Sequence, residues 1–351
     1  MCQFSWRARR LIHVLVVAGT GYALYGMLNH YGGFNTILWE ERQFYTDVVT
    51  STFINRNNYA TYANLGVILC LGLILEKFLI ARSLADARRI GTELVKQLLG
   101  KKVWLLIALV LLLAASLLTG SRGGLLSLSL SVLFLVLMLF FVGRPRLPTA
   151  FLVVGAVVLL GAGAVALFGE VAWQRLMSLD AISDELDAEG NGRMAIYDLS
   201  MQMLAERPWT GHGYGGYQQV FFLWRDDRFP LVFDKAHNTY IEHLVELGIP
   251  ATLLLYLGPL TIFVGCVAAV FVRRRSQMFP LVAATATVCV ALHSLVDFSL
   301  QIPAVAVTFA AILGMGAAQS LRSEKPAPRA AAVEPAMTYR DPATLGQATA
   351  A

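Results

Sequence analysis

Charge is what this chain has least of. Of its 351 residues only 15% are Asp, Glu, Lys or Arg, while 57% are apolar and the mean hydropathy is +0.61. A soluble domain carries about 25% charged and about 45–50% apolar residues. A water-soluble two-domain enzyme is therefore excluded, and so is a disordered or collagen-like chain. Cysteine is scarce as well. Cys2 lies in the basic N-terminus, and Cys70, Cys266 and Cys289 lie in apolar runs. None falls in the polar loops between those runs, so no disulfide framework is implied. His243 and Glu246 stand at i, i+3 without a third ligand at recognisable spacing, so a zinc site is not expected. No internal repeat of 20–50 residues is present.

What remains is a polytopic membrane protein. A helix needs roughly 20 apolar residues to cross a hydrocarbon core about 30 Å thick. Eight windows meet this: 11–28, 59–80, 103–119, 125–142, 149–169, 249–272, 279–297 and 303–319. The weakest is 59–80, which Asn64 interrupts. The runs are continuous rather than alternating, which favours helices over a barrel. A cleaved signal is disfavoured, because no small-x-small site follows 11–28.

Charge distribution sets the orientation. The N-terminus, 76–102, 143–148, 273–278 and the tail hold 19 Lys and Arg against 6 acids. The alternate segments hold 9 Lys and Arg against 17 acids. By the positive-inside bias the basic segments are cytoplasmic, with both termini inside. The net charge of +5 needs no nucleic acid to explain it.

This divides the chain into a membrane domain over 1–320, a loop over 170–248 inserted in it, and a disordered cytoplasmic tail over 321–351. Within the loop, 191–206 reads as an amphipathic helix ended by Pro208. A second helix is expected at about 237–247, with Tyr240, Ile241, Leu244 and Leu247 as its apolar stripe. Gly248 and Pro250 then mark a break before the next span.

Three outward arginines are the first candidates for chemistry. Arg122 stands in Thr-Gly-Ser-Arg-Gly-Gly between two apolar spans, where glycines let a ligand approach and the next helix offers its amides. Arg56 stands in Asn-Arg-Asn-Asn before a span, and Arg193 opens the loop helix. Each alone also reads as an interface or surface charge. Together they could converge on one anion, because the guanidinium fork matches phosphate oxygens. His237, at the start of a helix leading into the membrane, could take a proton from a hydroxyl near neutral pH. It also reads as a helix-start histidine. Gly211 to Gly216 fits G-x-G-x-x-G, but no strand–turn–helix surrounds it, so a flexible turn near a ligand is the better reading. Asp297, at the outward end between the last two spans, is a candidate by its depth, or a partner for an outward arginine.

These pieces, in this order, resemble the O-antigen ligase and polymerase family of bacterial inner-membrane glycosyltransferases. The residues that carry the resemblance are Thr52 to Asn57, Ser121-Arg122-Gly123-Gly124, Gly192-Arg193, Pro208 to Gly213, and Ala236-His237-Asn238-Thr239-Tyr240 through Glu246 to Pro250. Nine residues separate His237-Asn238 from Gly248, as in the ligase signature. The last signature position is Ala251, a departure that leaves ligase and polymerase both open. Members usually carry ten or more spans, so either this is a reduced member or spans before residue 50 are missing.

The resemblance implies an all-α membrane fold of the GT-C-like kind, with about eight transmembrane helices and one large periplasmic loop. It implies a glycan carried on undecaprenyl pyrophosphate and transferred to an acceptor hydroxyl at the periplasmic face of the inner membrane. Arg122 and Arg193 would stabilise the leaving diphosphate, and His237 would serve the acceptor. Arg56, Asn238, Tyr240, Gly211, Gly213 and Asp297 would line the substrate site. No metal or cofactor is expected, and inversion at the anomeric carbon would follow from direct displacement. The acceptor could be lipid A–core, another lipid-linked glycan or a protein. The rival from another class is a polysaccharide or lipid transporter, which should show repeat symmetry and mid-span charge. The spans show little of either.

Overall fold

The computed structural model describes residues 2–76, 102–142, 192–227, 229, 232–273 and 276–321, with 89, 91–93, 95–97 and 100. The span expected at 149–169, the start of the loop and the tail beyond 321 lie outside the described residues.

The elements run α1 (Ser5–Tyr31), a two-strand hairpin of β1 (Thr36–Ile37) and β2 (Glu40–Glu41), α2 (Arg56–Leu75), α3 (Val103–Leu118) and α4 (Arg122–Val142). They continue with α5 (Arg193–Glu206), α6 (Tyr217–Trp224), α7 (Thr239–Val272), α8 (Met278–His293), a 3₁₀ turn (Ser299–Gln301) and α9 (Pro303–Ser320). The helices α1, α2, α4, α7 and α9 are long and apolar enough to cross a membrane, and α3 and α8 are shorter apolar helices. The chain is thus a helical polytopic membrane protein, and seven of the eight expected runs fall on these helices.

The window that Asn64 interrupts forms the most buried of the described membrane-spanning helices. Every residue of α2 from Asn57 to Leu75 is buried, and α2 packs against α1, α3, α4, α8 and α9. Apolar side chains gain little by leaving lipid for protein, so close packing of small residues and interhelical hydrogen bonds hold such helices together. Both are present. Gly66 faces Leu112 of α3, Gly72 faces Val282 of α8, and Gly124 of α4 faces Ala60. Asn64, the residue that interrupts the apolar run, accepts from Ser116 Oγ of α3 at 2.6 Å. It donates to the Gly124 carbonyl of α4 at 2.8 Å. The amide that weakens the hydropathy signal thus ties three helices together. At the N-terminus the Asn55 side chain accepts from Asn57 N–H at 2.8 Å, which starts α2 three residues before the apolar window.

A second core lies off the bundle. It joins α5, α6 and the first leg of α7 through Ile196, Leu199, Met203, Tyr217, Phe221, Phe229 and Val245. Phe221 meets the rings of Tyr217, Phe229 and Phe233. Ser200 Oγ bonds the Tyr217 hydroxyl at 2.7 Å, and burial pushes that phenol well above its ordinary range.

The expected break at Gly248 splits α7 into two legs, since Gly248 has φ 73° and ψ 171°. Here Pro250 has no N–H to give, so carbonyls of the preceding turn need other donors. The segment 208–213 supplies them. His212 N–H reaches Val245 O at 2.9 Å and Gly213 N–H reaches Glu246 O at 2.9 Å. In return Ile249 N–H reaches Pro208 O at 2.8 Å. Gly211, at φ 63°, passes so close that a Cβ there would stand 2.3 Å from Glu246 O. The G-x-G-x-x-G segment therefore closes the kink.

Replacing Gly211 by Ala should cost about 1–3 kcal/mol, from a left-handed backbone and a clash against main chain that has no rotamer to yield. The measurement is thermal unfolding of the purified protein in detergent, where a lowered midpoint is expected.

Candidate functional site

Three helices begin on an arginine. Arg56 is the first residue of α2, Arg122 of α4 and Arg193 of α5. All three side chains line one small cavity, together with Asn57, Ser121, Gly123, His293 and Val296. The convergence that separate sequence segments only allowed is present in the fold. Each helix start adds the partial positive charge of its dipole and its early amides to the guanidinium beside it. Small residues let the walls close in. A Cβ on Gly123 would stand 2.8 Å from Val296 and 3.2 Å from His293 Nε2. The cavity volume is about 20 Å³. That holds a single water. Arg56 reaches over the Tyr45 ring, 5.5 Å from its centroid.

Behind the cavity runs a buried polar layer. His293 Nδ1 meets Thr61 Oγ1 at 2.6 Å, and Thr61 Oγ1 meets Ser299 Oγ at 2.8 Å. Ser299 also bonds the Asp297 carboxylate and meets Asn58 Oδ1 at 3.2 Å. Asp297 accepts from Asn57 Nδ2 at 3.3 Å. Asp297 is fully buried. It stands one layer behind the cavity wall rather than in it, and supports Asn57 and Ser299.

His237 has φ 53°, a left-handed conformation uncommon for a residue with a side chain. Its ring packs on Phe298 at 5.3 Å. Its carbonyl accepts from the Tyr197 hydroxyl at 3.1 Å. Tyr197 lies one turn beyond Arg193 on the same face of α5, so His237 is held in register with the cavity without lining it. Burial raises the Tyr197 phenol above its ordinary range, and the Arg193 charge opposes that. The hydroxyl therefore stays a donor at neutral pH.

The other expected residues serve the frame. Asn238 caps α7 by accepting from Tyr240 and Ile241 N–H at 3.0 and 3.1 Å. It also donates to Leu295 O at 2.8 Å. The Tyr240 hydroxyl donates to Ala291 O at 2.9 Å. Together with Thr239, whose N–H reaches Ser294 O at 2.9 Å, these bonds dock α7 on the end of α8. Gly211 and Gly213 lie at the kink and do not line the arginine cavity.

Residues that reading the sequence passed over are His293, Thr61, Asn57, Ser299 and Tyr197. A signal existed for part of this set. Asn57, Thr61 and Asn64 fall at i, i+4 and i+7, a polar stripe on one face of a membrane helix.

The site is thus an arginine-lined cavity at one end of a helical membrane bundle, completed by a helix of the adjoining loop core. Residues 107–256 match the family model described as O-antigen ligase. That stretch holds Arg122, Arg193 and His237, and the match fits a glycan-transferring activity of the ligase and polymerase kind. Arg56, His293 and Asp297 come from helices and a turn outside it. A search of the curated proteins returned no match.

The turn that carries His237 depends on Glu242, 1% exposed, which accepts from Lys235 Nζ at 3.2 Å and from Ala236 N–H at 3.1 Å. In Glu242→Ala the Ala236 N–H loses its buried acceptor, at a cost of about 1–3 kcal/mol. Limited proteolysis should then cut at 232–238 sooner than in the unaltered protein.

Proposed function

We propose that the chain transfers a glycan from undecaprenyl pyrophosphate to an acceptor hydroxyl at the periplasmic face of a bacterial inner membrane, as an O-antigen ligase does. The observation that carries this reading is the convergence of Arg56, Arg122 and Arg193, each at a helix start, on one cavity. A diphosphate diester bears two negative charges, and guanidinium forks hold such oxygens by charge-assisted bonds.

In this reading His237 takes the proton of the acceptor hydroxyl. The acceptor oxygen forms a bond to the anomeric carbon as the bond from that carbon to the diphosphate oxygen breaks. The electron pair leaves with the diphosphate, where Arg122 and Arg193 stabilise the growing charge. Displacement from the opposite face inverts the anomeric centre. Arg56 holds the donor, and Asp297 supports the cavity wall from behind. No step calls for a metal, since the guanidinium groups carry the electrostatic work. Lipid A–core is the proposed acceptor.

The test is transfer from a defined lipid-diphosphate glycan in proteoliposomes, read by gel mobility, with lipid A–core, a second lipid-linked glycan and a protein offered as acceptors. Arg122→Ala and Arg193→Ala should each lower the rate by about 10²–10³, the usual loss when one preorganised donor to a developing anion is removed. Transfer that survives intact in His237→Ala removes that residue from the mechanism. Full activity is expected in EDTA, and activity lost there and restored by a divalent ion overturns the metal-free route.

A further inference from the structure

The arginine cavity contains an ionisable group that the transfer chemistry leaves unused. His293, the last residue of α8, is 1% exposed and lines the cavity with all three arginines. Its ring is oriented from behind. A carboxylate only accepts, and a hydroxyl has one proton to give. Ser299 and Thr61 have further acceptors in Asn58 Oδ1 at 3.2 Å and the Asn57 carbonyl at 3.3 Å, and one order satisfies all three contacts between His293 and Asp297. Ser299 donates to Asp297, Thr61 donates to Ser299, and His293 Nδ1–H donates to Thr61. In that order Nδ1 carries the proton and Nε2 is the other edge of the ring. Nε2 and its neighbour Cδ2 are the ring atoms that lie against Gly123 in the cavity wall, each 3.2 Å from where a side chain there would begin.

We infer that His293 is a proton-linked ligand of the anion: when a diphosphate enters the cavity, Nε2 takes one proton from solvent and donates it in a hydrogen bond to a phosphate oxygen. This rests on the diphosphate reading of the cavity. The charged groups that face His293 are Arg56 from α2, Arg122 from α4, Arg193 from α5 and, through two hydroxyls, Asp297 from the turn after α8. Protonation of His293 adds a fourth positive charge beside three guanidinium groups. A diphosphate diester brings two negative charges into the same space, and the Asp297 carboxylate answers the imidazolium from behind. Anion and proton thus favour each other's binding by linkage. His293 is a binding and positioning residue here, separate from His237, whose ring packs on Phe298 outside the cavity lining.

The experiment measures affinity of the full chain in nanodiscs for a short-chain prenyl diphosphate-linked N-acetylglucosamine. Each phosphate of that probe carries one ester and one anhydride bond and a single, strongly acidic oxygen, so its charge stays constant across the range in which histidine titrates. Affinity should rise as the pH falls across about 8 to 5.5, approaching tenfold per pH unit where one proton is linked. Calorimetry in buffers of different ionisation heat should show proton uptake by the unaltered protein on binding, and zero uptake overturns the inference without any variant. His293→Gln keeps an amide for Thr61 but cannot titrate, so binding should persist with a flat pH profile. The unaltered slope persisting in that variant overturns the inference. Ser299→Ala cuts the path to Asp297 and should move the pH midpoint of binding downward, whereas an unmoved midpoint counts against the relay. If the unaltered protein binds no probe at any pH, the diphosphate reading itself falls. That failure is distinct from probe binding without proton linkage.

Discussion

A helix surrounded by protein on every side has no water and no lipid headgroup to satisfy its polar atoms. This constraint governs α2, and the rest of the structure follows from it. Asn57, Thr61 and Asn64 stand on one face of that buried helix. Each must find a partner on a neighbour, because an unmet polar group in an apolar interior costs several kcal/mol. Asn64 fixes α3 and α4. Thr61 fixes the end of α8 and the 3₁₀ turn. Asn57 reaches Asp297. The register of α2 against four other elements is thus set by polar contacts, where apolar packing alone would tolerate sliding. Arg56, one residue before Asn57, inherits that register.

Much of this architecture was legible in the sequence because the bilayer makes spans long and apolar. Seven windows fell on helices for that reason. The break at Gly248 was legible from Gly and Pro, and the loop helix from its apolar period and Pro208. The span expected at 59–80 is present as α2, although Asn64 made it the weakest of the eight windows. Asn64 lowers the score of the helix that the bundle is built around, since hydropathy assumes a lipid-facing surface and α2 has none. The boundary of 279–297 moved for a related reason. Residues after His293 leave the helix to form the turn that α7 docks on, and their carbonyls are spent on Thr239, Asn238 and Tyr197.

Within the site, charged residues were legible and their supports were not. Arg56, Arg122 and Arg193 stand out because cations are rare in so apolar a chain. Their convergence is a tertiary fact, arising from three helix starts in three separate segments. His293 lay inside an apolar window, where one histidine adds little to a sequence score. Its meaning depends on Thr61, 232 residues away. Asn238 and Tyr240 follow His237 in a motif, which suggested substrate contact, and in the fold their hydrogen-bonding groups meet the N-terminus of α7 and the end of α8.

Two of the three arginines belong to the bundle and the third to the loop core. This division has a physical consequence. Arg56 and Arg122 are fixed wherever α2 and α4 pack, but Arg193 reaches the cavity only while α5 is docked. That docking rests on a few bonds: Tyr197 to the His237 and Leu295 carbonyls, Asn238 to Leu295, Thr239 to Ser294 and Tyr240 to Ala291. All of them converge on residues 291–295 or on the turn at 237. The contacts that place Arg193 are therefore the contacts that place His237. Tyr197, one turn beyond Arg193, bonds the His237 carbonyl, so the helix that carries the third guanidinium is tied directly to the turn of the histidine. The same few carbonyls at the end of α8 thus hold both the helix that carries Arg193 and the segment that carries His237.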